Sequence, residues 1–246
     1  MSSAVPEPSV EPISRAAQRV RVVTATSLFD GHDAAIHIIR RLLQAAGAEV
    51  IHLGHDRSVD ELVAAAVQED AHAICVSSYQ GGHLEYLGYL VDRLRESGAA
   101  HIRVYAGGGG TIAPHERDAL EARGVARIFG PEEGRRLGLE GMVRTIIDES
   151  AVRPLRAAPA SLAGLTPGAH GEIARLLTHV EEEAARGGSA LPQLRQRLIA
   201  QRGDTSALVV GFTGTGGAGK SSVVDELVRR LRFEFPDLTL ALLLVD

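Results

Sequence analysis

The sequence predicts an α/β protein that begins with a doubly wound parallel sheet and continues through a helical linker into a second α/β domain. Three observations lead to this fold class. Apolar runs of strand length alternate with helical patterns over residues 18–150. Polar helices follow over 151–204, and a glycine-rich loop then separates an apolar run from another helix. Regular alternation of strands and helices is typical of a parallel sheet with helices on both faces.

Each element of the first domain is predicted from its hydrophobic pattern. Short apolar runs indicate buried parallel strands, and longer amphipathic segments indicate helices. The predicted strands are Val20–Thr26, Glu49–Leu53, Ala73–Val76, Ile102–Ala106 and Arg127–Phe129. The predicted helices are Ala34–Ala46, Val59–Gln68, Leu84–Ser97, Pro114–Arg123 and Arg136–Asp148. Such a five-stranded sheet is flavodoxin-like, or Rossmann-like, and binds its ligands in the loops at the carboxyl ends of the strands.

The segments on either side of this domain have a different character. Residues 1–17 are rich in proline and serine and indicate a disordered lead-in. The predicted linker, 151–204, contains two polar helices at about Gly171–Arg186 and Leu191–Arg202. Its acidic run at 181–183 fits a solvated helix face or a contact with a partner domain.

The last segment, 205–246, has the pattern of an incomplete α/β domain. Apolar runs at Ala207–Val210 and Leu238–Val245 predict two buried parallel strands, and a helix is predicted at Val223–Leu231 between them. A complete domain of this kind needs more strands. We therefore expect this chain to be the N-terminal part of a longer protein.

Composition excludes several classes of protein. The sequence is 45% hydrophobic and 23% charged, which is ordinary for a globular protein. One cysteine, Cys75, excludes internal disulfides, and no signal segment or membrane-length apolar run is found, so a cytoplasmic protein is expected. The net charge is −5 without a long basic block, which argues against a nucleic-acid partner.

The loop at 214–221 has the pattern G-x-x-x-x-G-K-S of a phosphate-binding loop. Small residues let backbone N–H groups surround phosphate oxygens at the helix N-terminus. Lys220 is expected to reach the β- and γ-phosphates as the catalytic cation, and Ser221 to bind Mg²⁺. The residues assigned to the nucleotide are Gly214, Gly216, Gly217, Ala218, Gly219, Lys220, Ser221 and Ser222.

Polar and small residues follow three strands of the first domain, where a ligand site is expected. They are Asp30, Gly31, His32 and Asp33, then Ser77 and Tyr79, and then Gly107, Gly108, Gly109 and Gly110. A metal-ligating histidine needs one free ring nitrogen and a partner, often a carboxylate, on the other. Asp30 is placed to be that partner of His32. The glycine run leaves a slot for a planar or elongated group.

These motifs resemble the D-x-H-x-x-G, S-x-L and G-G signature of the cobalamin-binding domain of methylmalonyl-CoA mutase-type enzymes, and their spacing matches. The resemblance implies that His32 is the lower axial ligand of cobalt in adenosylcobalamin and that Asp30 orients it. It implies that Ser77 binds the displaced base and that Gly107–Gly110 line the slot for the nucleotide tail. Two positions depart from the signature, because Ala35 replaces a glycine and Tyr79 replaces a leucine.

The order of cobalamin domain, linker and phosphate-binding loop resembles the fused isobutyryl-CoA mutases of that family. The resemblance implies an isomerase that converts isobutyryl-CoA to butyryl-CoA by a radical route, with a GTPase chaperone domain that gates cofactor loading. It makes Asp246 a second Mg²⁺ ligand. It also implies an acyl-CoA-binding barrel outside this sequence and a homodimer, and predicts that this chain alone binds cobalamin with little GTP hydrolysis and no mutase activity.

Other interpretations stay open from the sequence. The chain is alternatively a cobalamin-trafficking GTPase chaperone, or a non-catalytic cobalamin carrier or sensor, in which case no barrel would follow. A flavodoxin binding FMN would need a Ser/Thr-rich phosphate loop after the first strand, which is not the pattern at 27–33. His83 is expected near the rim of the site, as a ligand contact or without a role. His37, His52, His55 and His72 are expected at the surface or beside helices.

Overall fold

The structure, a computed structural model, describes residues 20–152, 162–166, 168–202 and 207–244. The strands are β1 (Arg21–Ser27), β2 (Glu49–Arg57), β3 (Ala73–Ser77), β4 (Arg103–Gly107) and β5 (Arg127–Phe129). The helices are α1 (Ala34–Ala45), α2 (Val59–Gln68), α3 (His83–Glu96), α4 (Pro114–Arg123), α5 (Pro131–Ala151), α6 (His170–Ala185), α7 (Leu191–Arg202) and α8 (Lys220–Glu234).

The five strands form one parallel sheet in the order β2-β1-β3-β4-β5. This order is the flavodoxin-like one, and the chain reverses its direction of winding between β1 and β3. The predicted fold class is confirmed. β3 is buried along its whole length because helices cover both faces of the sheet, as expected for a central parallel strand.

Two hydrophobic clusters cover the two faces. One contains the apolar sides of α2, α3 and α4, and the other those of α1 and α5. Consecutive residues of β3 alternate between them: Ile74 and Val76 belong to the first cluster, and Ala73 and Cys75 to the second. The two-residue period of the strand therefore fixes which side chains face each helical layer.

The described residues fall into two compact units. The first comprises those within Met1–Ala160 and His170–Ser189, and the second those within Ser161–Ala169 and Ala190–Asp246. Helix α6 belongs to the first unit and contacts α2. Arg21 contributes to its position, because its guanidinium donates to Thr178 Oγ1 at 3.3 Å and lies 3.4 Å from Glu181 Oε2. Within the described ranges, no helix has both the length and the apolar character needed to cross a membrane.

Some predicted elements differ in the structure. The apolar segments 207–210 and 238–244 are not strands, and Leu208 and Leu243 are 90% and 91% exposed. Hydrophobic pattern reports a tendency to be buried, but a strand also needs a hydrogen-bonded neighbour. Neither segment has one among the described residues. In the first unit, β2 continues to Arg57, four residues past its predicted end, and α5 begins at Pro131, where proline suits the first helical turn.

Candidate functional site

The carboxyl ends of β1, β3 and β4 meet at one edge of the sheet. In the register of the sheet, Thr26 pairs with Ser77, and Ser77 pairs with Gly107. The loops that follow these strands are therefore neighbours. They lie at the point where the winding reverses, which is the usual ligand site of this kind of sheet.

The loop after β1 orients His32 through a buried carboxylate. Asp30 is 2% exposed, whereas the His32 side chain is 76% exposed. Asp30 Oδ1 accepts hydrogen bonds from the backbone N–H of His32 at 2.9 Å and from His32 Nδ1 at 2.8 Å. An ionised carboxylate only accepts hydrogen bonds, so this geometry assigns the ring proton to Nδ1 and leaves the lone pair on Nε2. An exposed imidazole nitrogen of this kind is suited to bind a metal.

The same carboxylate also joins this loop to the one after β3. Asp30 Oδ2 accepts a hydrogen bond from the backbone N–H of Tyr79 at 2.5 Å. Burial alone would raise the pKa of the Asp30 carboxyl, but the hydrogen bonds from Tyr79 and His32 lower the pKa below its ordinary value. Asp30 is therefore ionised at neutral pH.

Replacing Asp30 with asparagine is expected to reduce stability in a pH-dependent way. The amide nitrogen cannot accept a hydrogen bond, so the variant cannot satisfy all three N–H donors. Stabilisation from a lowered carboxyl pKa is complete above the ordinary value of about 4, and it is lost as the pH falls through the lower pKa of the folded protein. Thermal denaturation of both proteins should show a gap at neutral pH that closes in strong acid. An equal gap at every pH would contradict this assignment.

Two residues that the sequence reasoning missed support this loop, Thr26 from the end of β1 and Asp56 from β2. The backbone N–H of Phe29 donates to Asp56 Oδ1 at 2.6 Å, and the backbone N–H of Asp56 donates to Thr26 Oγ1 at 3.0 Å. Thr26 Oγ1 in turn donates to the carbonyl oxygen of Asp30 at 2.8 Å. Phe29 and Asp56 both have positive φ, at 61° and 57°, which is uncommon for a residue with a side chain.

The glycine run brings the loops after β3 and β4 into close contact. A Cβ on Gly108 would collide with the carbonyl oxygen of Ser78, and one on Gly109 would lie 3.0 Å from Tyr79 Cε1. Gly109 also has a φ of 58°, which favours glycine. Thr111 Oγ1 bridges the loops, with acceptors at the carbonyl oxygens of Gly108 (2.7 Å) and Ser78 (3.2 Å). Gly108 is thus needed for the approach of two backbones.

A cavity of about 320 Å³ opens at this edge of the sheet. Its walls come from α1, from the ends of β3, β4 and β5, and from α5, and none of the lining residues is charged. They include Ala35, Ser77, Tyr79, Phe129 and Gly107 to Gly109. The volume lies at the lower end of the range for small-molecule pockets, about 300–1,000 Å³. The cavity can accept an apolar, planar group but offers no charge to a polar one.

Not all of the predicted site residues converge here. Asp33 directly precedes α1 without a capping hydrogen bond from its side chain, and its Oδ2 lies 3.2 Å from His37 Nε2, so its carboxylate has a different partner from that of Asp30. A Cβ on Gly31 or Gly110 would meet open space, and Gly110 is not among the residues that line the cavity. The Tyr79 ring lies 5.7 Å from the His32 ring between centroids, so Tyr79 does border the ligand position.

Three further histidines of the first unit have defined positions that do not line the cavity. His72 is 4% exposed, and its Nδ1 accepts the backbone N–H of Arg21 at 3.1 Å. His52 lies in β2, within the predicted part of that strand, and its Nδ1 lies 2.9 Å from Thr24 Oγ1. His83, the first residue of α3, is 4% exposed and is not among the residues that line the cavity.

In the second unit, the glycine-rich loop leads directly into α8. Gly217 and Gly219 have φ values of 74° and 82°, which only glycine adopts easily. Lys220, the only lysine of the sequence, donates from Nζ to the carbonyl oxygens of Gly214 and Thr215, each at 2.9 Å. The ammonium group therefore lies over the loop that the motif assigns to phosphate.

Ser221 and Ser222 are exposed in the first turn of α8, beside that loop. The free N–H groups of a helix N-terminus attract an anion, so their position agrees with the predicted nucleotide site. Asp246, the second predicted Mg²⁺ ligand, lies outside the described residues.

The first site fits a metal that brings most of its own ligands. No group of three or more His, Cys, Asp or Glu side chains converges on a metal position within the residues that the structure describes. One oriented histidine stands beside an uncharged cavity. Cobalamin fits this donor set, because its corrin supplies most of the cobalt ligands, His32 would supply a further nitrogen, and the cavity would accept part of the cofactor.

Comparison with known proteins gives the same assignment for both units. Residues 20–139 match the family model described as B12 binding domain. Residues 173–246 match the model described as Methylmalonyl Co-A mutase-associated GTPase MeaB. The pivalyl-CoA mutase small subunit of Xanthobacter autotrophicus is 33% identical over 144 residues, which cover 55% of this chain and 95% of that subunit.

The chain belongs to the B12-binding acyl-CoA mutase family. It is 51% identical over 242 residues to the fused isobutyryl-CoA mutase of Geobacillus kaustophilus, covering 95% of this chain and 22% of that protein. It is 49% identical over 245 residues to the fused isobutyryl-CoA mutase of Cupriavidus metallidurans, covering 99% and 22%. The chain thus spans about a fifth of the length of these two relatives.

Within the B12-binding acyl-CoA mutase family, this chain corresponds to the cobalamin domain and the start of the GTPase domain of the fused enzymes. The resemblance predicted from the motifs is confirmed, as are cobalamin as the ligand of the first domain and GTP as that of the second.

Proposed function

We propose that the first domain, 18–150, binds adenosylcobalamin with His32 as the lower axial ligand, and that it serves an acyl-CoA mutase. The observation that carries this proposal is the His32 ring, which is exposed, oriented by the buried Asp30 carboxylate and placed beside an uncharged cavity. These features correspond to a ligand for cobalt and a space for the displaced nucleotide tail.

The residues of this chain have distinct tasks in that proposal. His32 Nε2 binds the metal, and Asp30 keeps the proton on Nδ1 so that Nε2 stays a ligand. Ser77 and Gly107–Gly109 line the space for the tail, and Tyr79 borders it. When bound, adenosylcobalamin supplies the radical chemistry of a carbon-skeleton rearrangement, while the protein supplies position and excludes water.

The simplest test is an absorbance titration of the chain with adenosylcobalamin, followed by passage over a desalting column. The proposal predicts a saturable spectral change and co-elution of cofactor with protein. Cofactor that separates completely from the protein on the column, without a spectral change, would refute the proposal.

We further propose that 205–246 begins a GTPase domain, with 151–204 as its linker to the first domain. The glycine-rich loop and the N-terminus of α8 receive the phosphates, Lys220 contacts the β- and γ-phosphates, and Ser221 binds Mg²⁺. To do so, the Lys220 ammonium exchanges the two loop carbonyls for phosphate oxygens. Asp246 remains a proposed second Mg²⁺ ligand.

Lys220 can be followed without interference, because the sequence has no second lysine. Mild acylation with an amine-reactive reagent, read by peptide mass spectrometry, should modify Lys220 in the free chain. Mg²⁺ with GTP should protect it, because a bound phosphate occupies the ammonium group. Acylation of the N-terminal amine in the same sample serves as the internal control. The assignment would be contradicted if Mg²⁺ and GTP reduced the acylation of the N-terminal amine as much as that of Lys220. It would also be contradicted if saturating nucleotide left the acylation of Lys220 unchanged.

For the whole protein, we propose isobutyryl-CoA as the substrate, a homodimer as the assembly and the cytoplasm as the location. The substrate proposal is supported by the two fused relatives, whose names state that activity. The acyl-CoA would bind to a barrel domain outside this sequence. The GTPase domain would then gate the loading of cofactor into the mutase.

A further inference from the structure

A contact between the buried His83 and the partly exposed Glu116 connects the two loops that border the proposed tail site. His83, the first residue of α3, is 4% exposed. Its Nδ1 lies 3.2 Å from the carbonyl oxygen of Gln80, and its Nε2 lies 3.0 Å from Glu116 Oε2. Each ring nitrogen of His83 therefore lies within hydrogen-bond distance of an oxygen on a different loop.

The partners of this pair come from both loops. Gln80 follows Tyr79 in the loop after β3, and Glu116 stands in the first turn of α4, after the glycine run. Glu116 Oε2 also accepts the backbone N–H of Ala113 at 2.8 Å. The His83 imidazole therefore connects the Gln80 backbone, in the loop after β3, to the Glu116 carboxylate. That carboxylate in turn binds the backbone N–H of Ala113 at the end of the loop after β4.

The same two loops also contact each other beside the cavity, where their backbones are closely packed. The backbone N–H of Ser78 donates to the carbonyl oxygen of Gly107 at 2.8 Å, and Gly108 packs directly on Ser78. A change in the separation of the loops at His83 would consequently alter the position of the glycines that line the cavity. The carboxylate of Glu116 is ionised for this role, since the hydrogen bonds from Ala113 and His83 lower its pKa.

We propose that His83 and Glu116 are positioning residues for the nucleotide tail of cobalamin: the pair fixes the separation of the loops after β3 and β4 and so keeps the tail slot at its binding width. This inference rests on the proposed cobalamin function. Both residues are hydrogen-bonded to the loops after β3 and β4 and not to His32 or Asp30, so the tail slot is the part of the site that the pair supports directly.

The test compares two ligands that differ only in the tail. Adenosylcobalamin carries the nucleotide, whereas adenosylcobinamide has the same corrin, cobalt and adenosyl group without it. The variants are His83→Ala and, as a change that keeps the shape of the side chain, Glu116→Gln. His115→Ala is the matched control, because His115 is an exposed histidine of the same helix as Glu116. Thermal denaturation confirms that each variant folds.

The variants should bind adenosylcobalamin about tenfold more weakly, as expected for the loss of a hydrogen bond to a charged group. Their affinity for adenosylcobinamide should stay within about twofold of the wild type, since a loss confined to the tail leaves the axial bond unchanged. Equal losses for both ligands would show a merely structural role and overturn the inference, as would no loss for either. Failure of the wild type to bind either ligand would instead refute the proposed function itself, and this inference with it.

Discussion

Replacing His32 with alanine is expected to remove most of the cobalamin affinity of this chain. Partners that only orient a metal ligand contribute about 10- to 100-fold to metal affinity. Loss of the ligand should therefore cost at least about 100-fold, on the same scale. The variant should still fold, because the His32 side chain is largely exposed and the backbone N–H of residue 32 continues to bond to Asp30.

The measurement is an adenosylcobalamin titration of the wild type, His32→Ala and the control His115→Ala. The control changes an exposed histidine away from the proposed cobalt ligand and should bind like the wild type. Equal affinity of all three proteins would contradict His32 as ligand. Thermal denaturation should place the three midpoints close together, which separates loss of ligand from loss of fold.

Replacing Gly108 with alanine is expected to damage both stability and the tail site. The new methyl group would meet the carbonyl oxygen of Ser78 and lie 2.9 Å from Thr111 Oγ1. A backbone atom cannot turn away as a side chain can, so the two loops must separate. Overpacking of this kind costs about 1–3 kcal/mol in the free energy of unfolding, and we expect a drop in cobalamin affinity on the order of tenfold or more from the shifted loops.

Gly110→Ala is the matched control for this change. Gly110 belongs to the same glycine run, but a Cβ there would meet nothing within 4 Å. The control should stay within about 0.5 kcal/mol of the wild-type free energy of unfolding. Chemical denaturation measures the free energy of unfolding of both variants, and a cobalamin titration measures their affinity. Similar behaviour of the two variants would show that the contact with Ser78 does not limit this loop.

Much of the first domain could be predicted because each of its signals is local. The strands β3 and β5 are short apolar runs, and the motif of Asp30 and His32 places a carboxylate two residues before a histidine. The observed hydrogen bond between Asp30 Oδ1 and His32 Nδ1 follows from this spacing. The sequence pattern was sufficient to predict a contact where the two contacting residues are close together in the sequence.

The remaining features depend on partners that are distant in sequence. Asp56 supports the loop at Phe29 across 27 positions, and His83 meets Glu116 across 33. Nothing in the pattern around either residue indicates its partner. The apolar run at 207–210 shows the opposite case, because its pattern predicts a strand but the described residues provide no neighbour for it.

The central claim is that a nitrogen of this protein, from His32, is the axial ligand of cobalt. It is tested most directly by electron paramagnetic resonance of the chain loaded with cob(II)alamin after labelling its histidines with ¹⁵N. The claim predicts that the nitrogen splitting of the cobalt signal takes the ¹⁵N pattern in the wild type and that this pattern disappears in His32→Ala. A signal that keeps the ¹⁴N pattern of the cofactor's own base in the labelled wild type would show that cobalt never exchanges its ligand for His32, and would contradict the account.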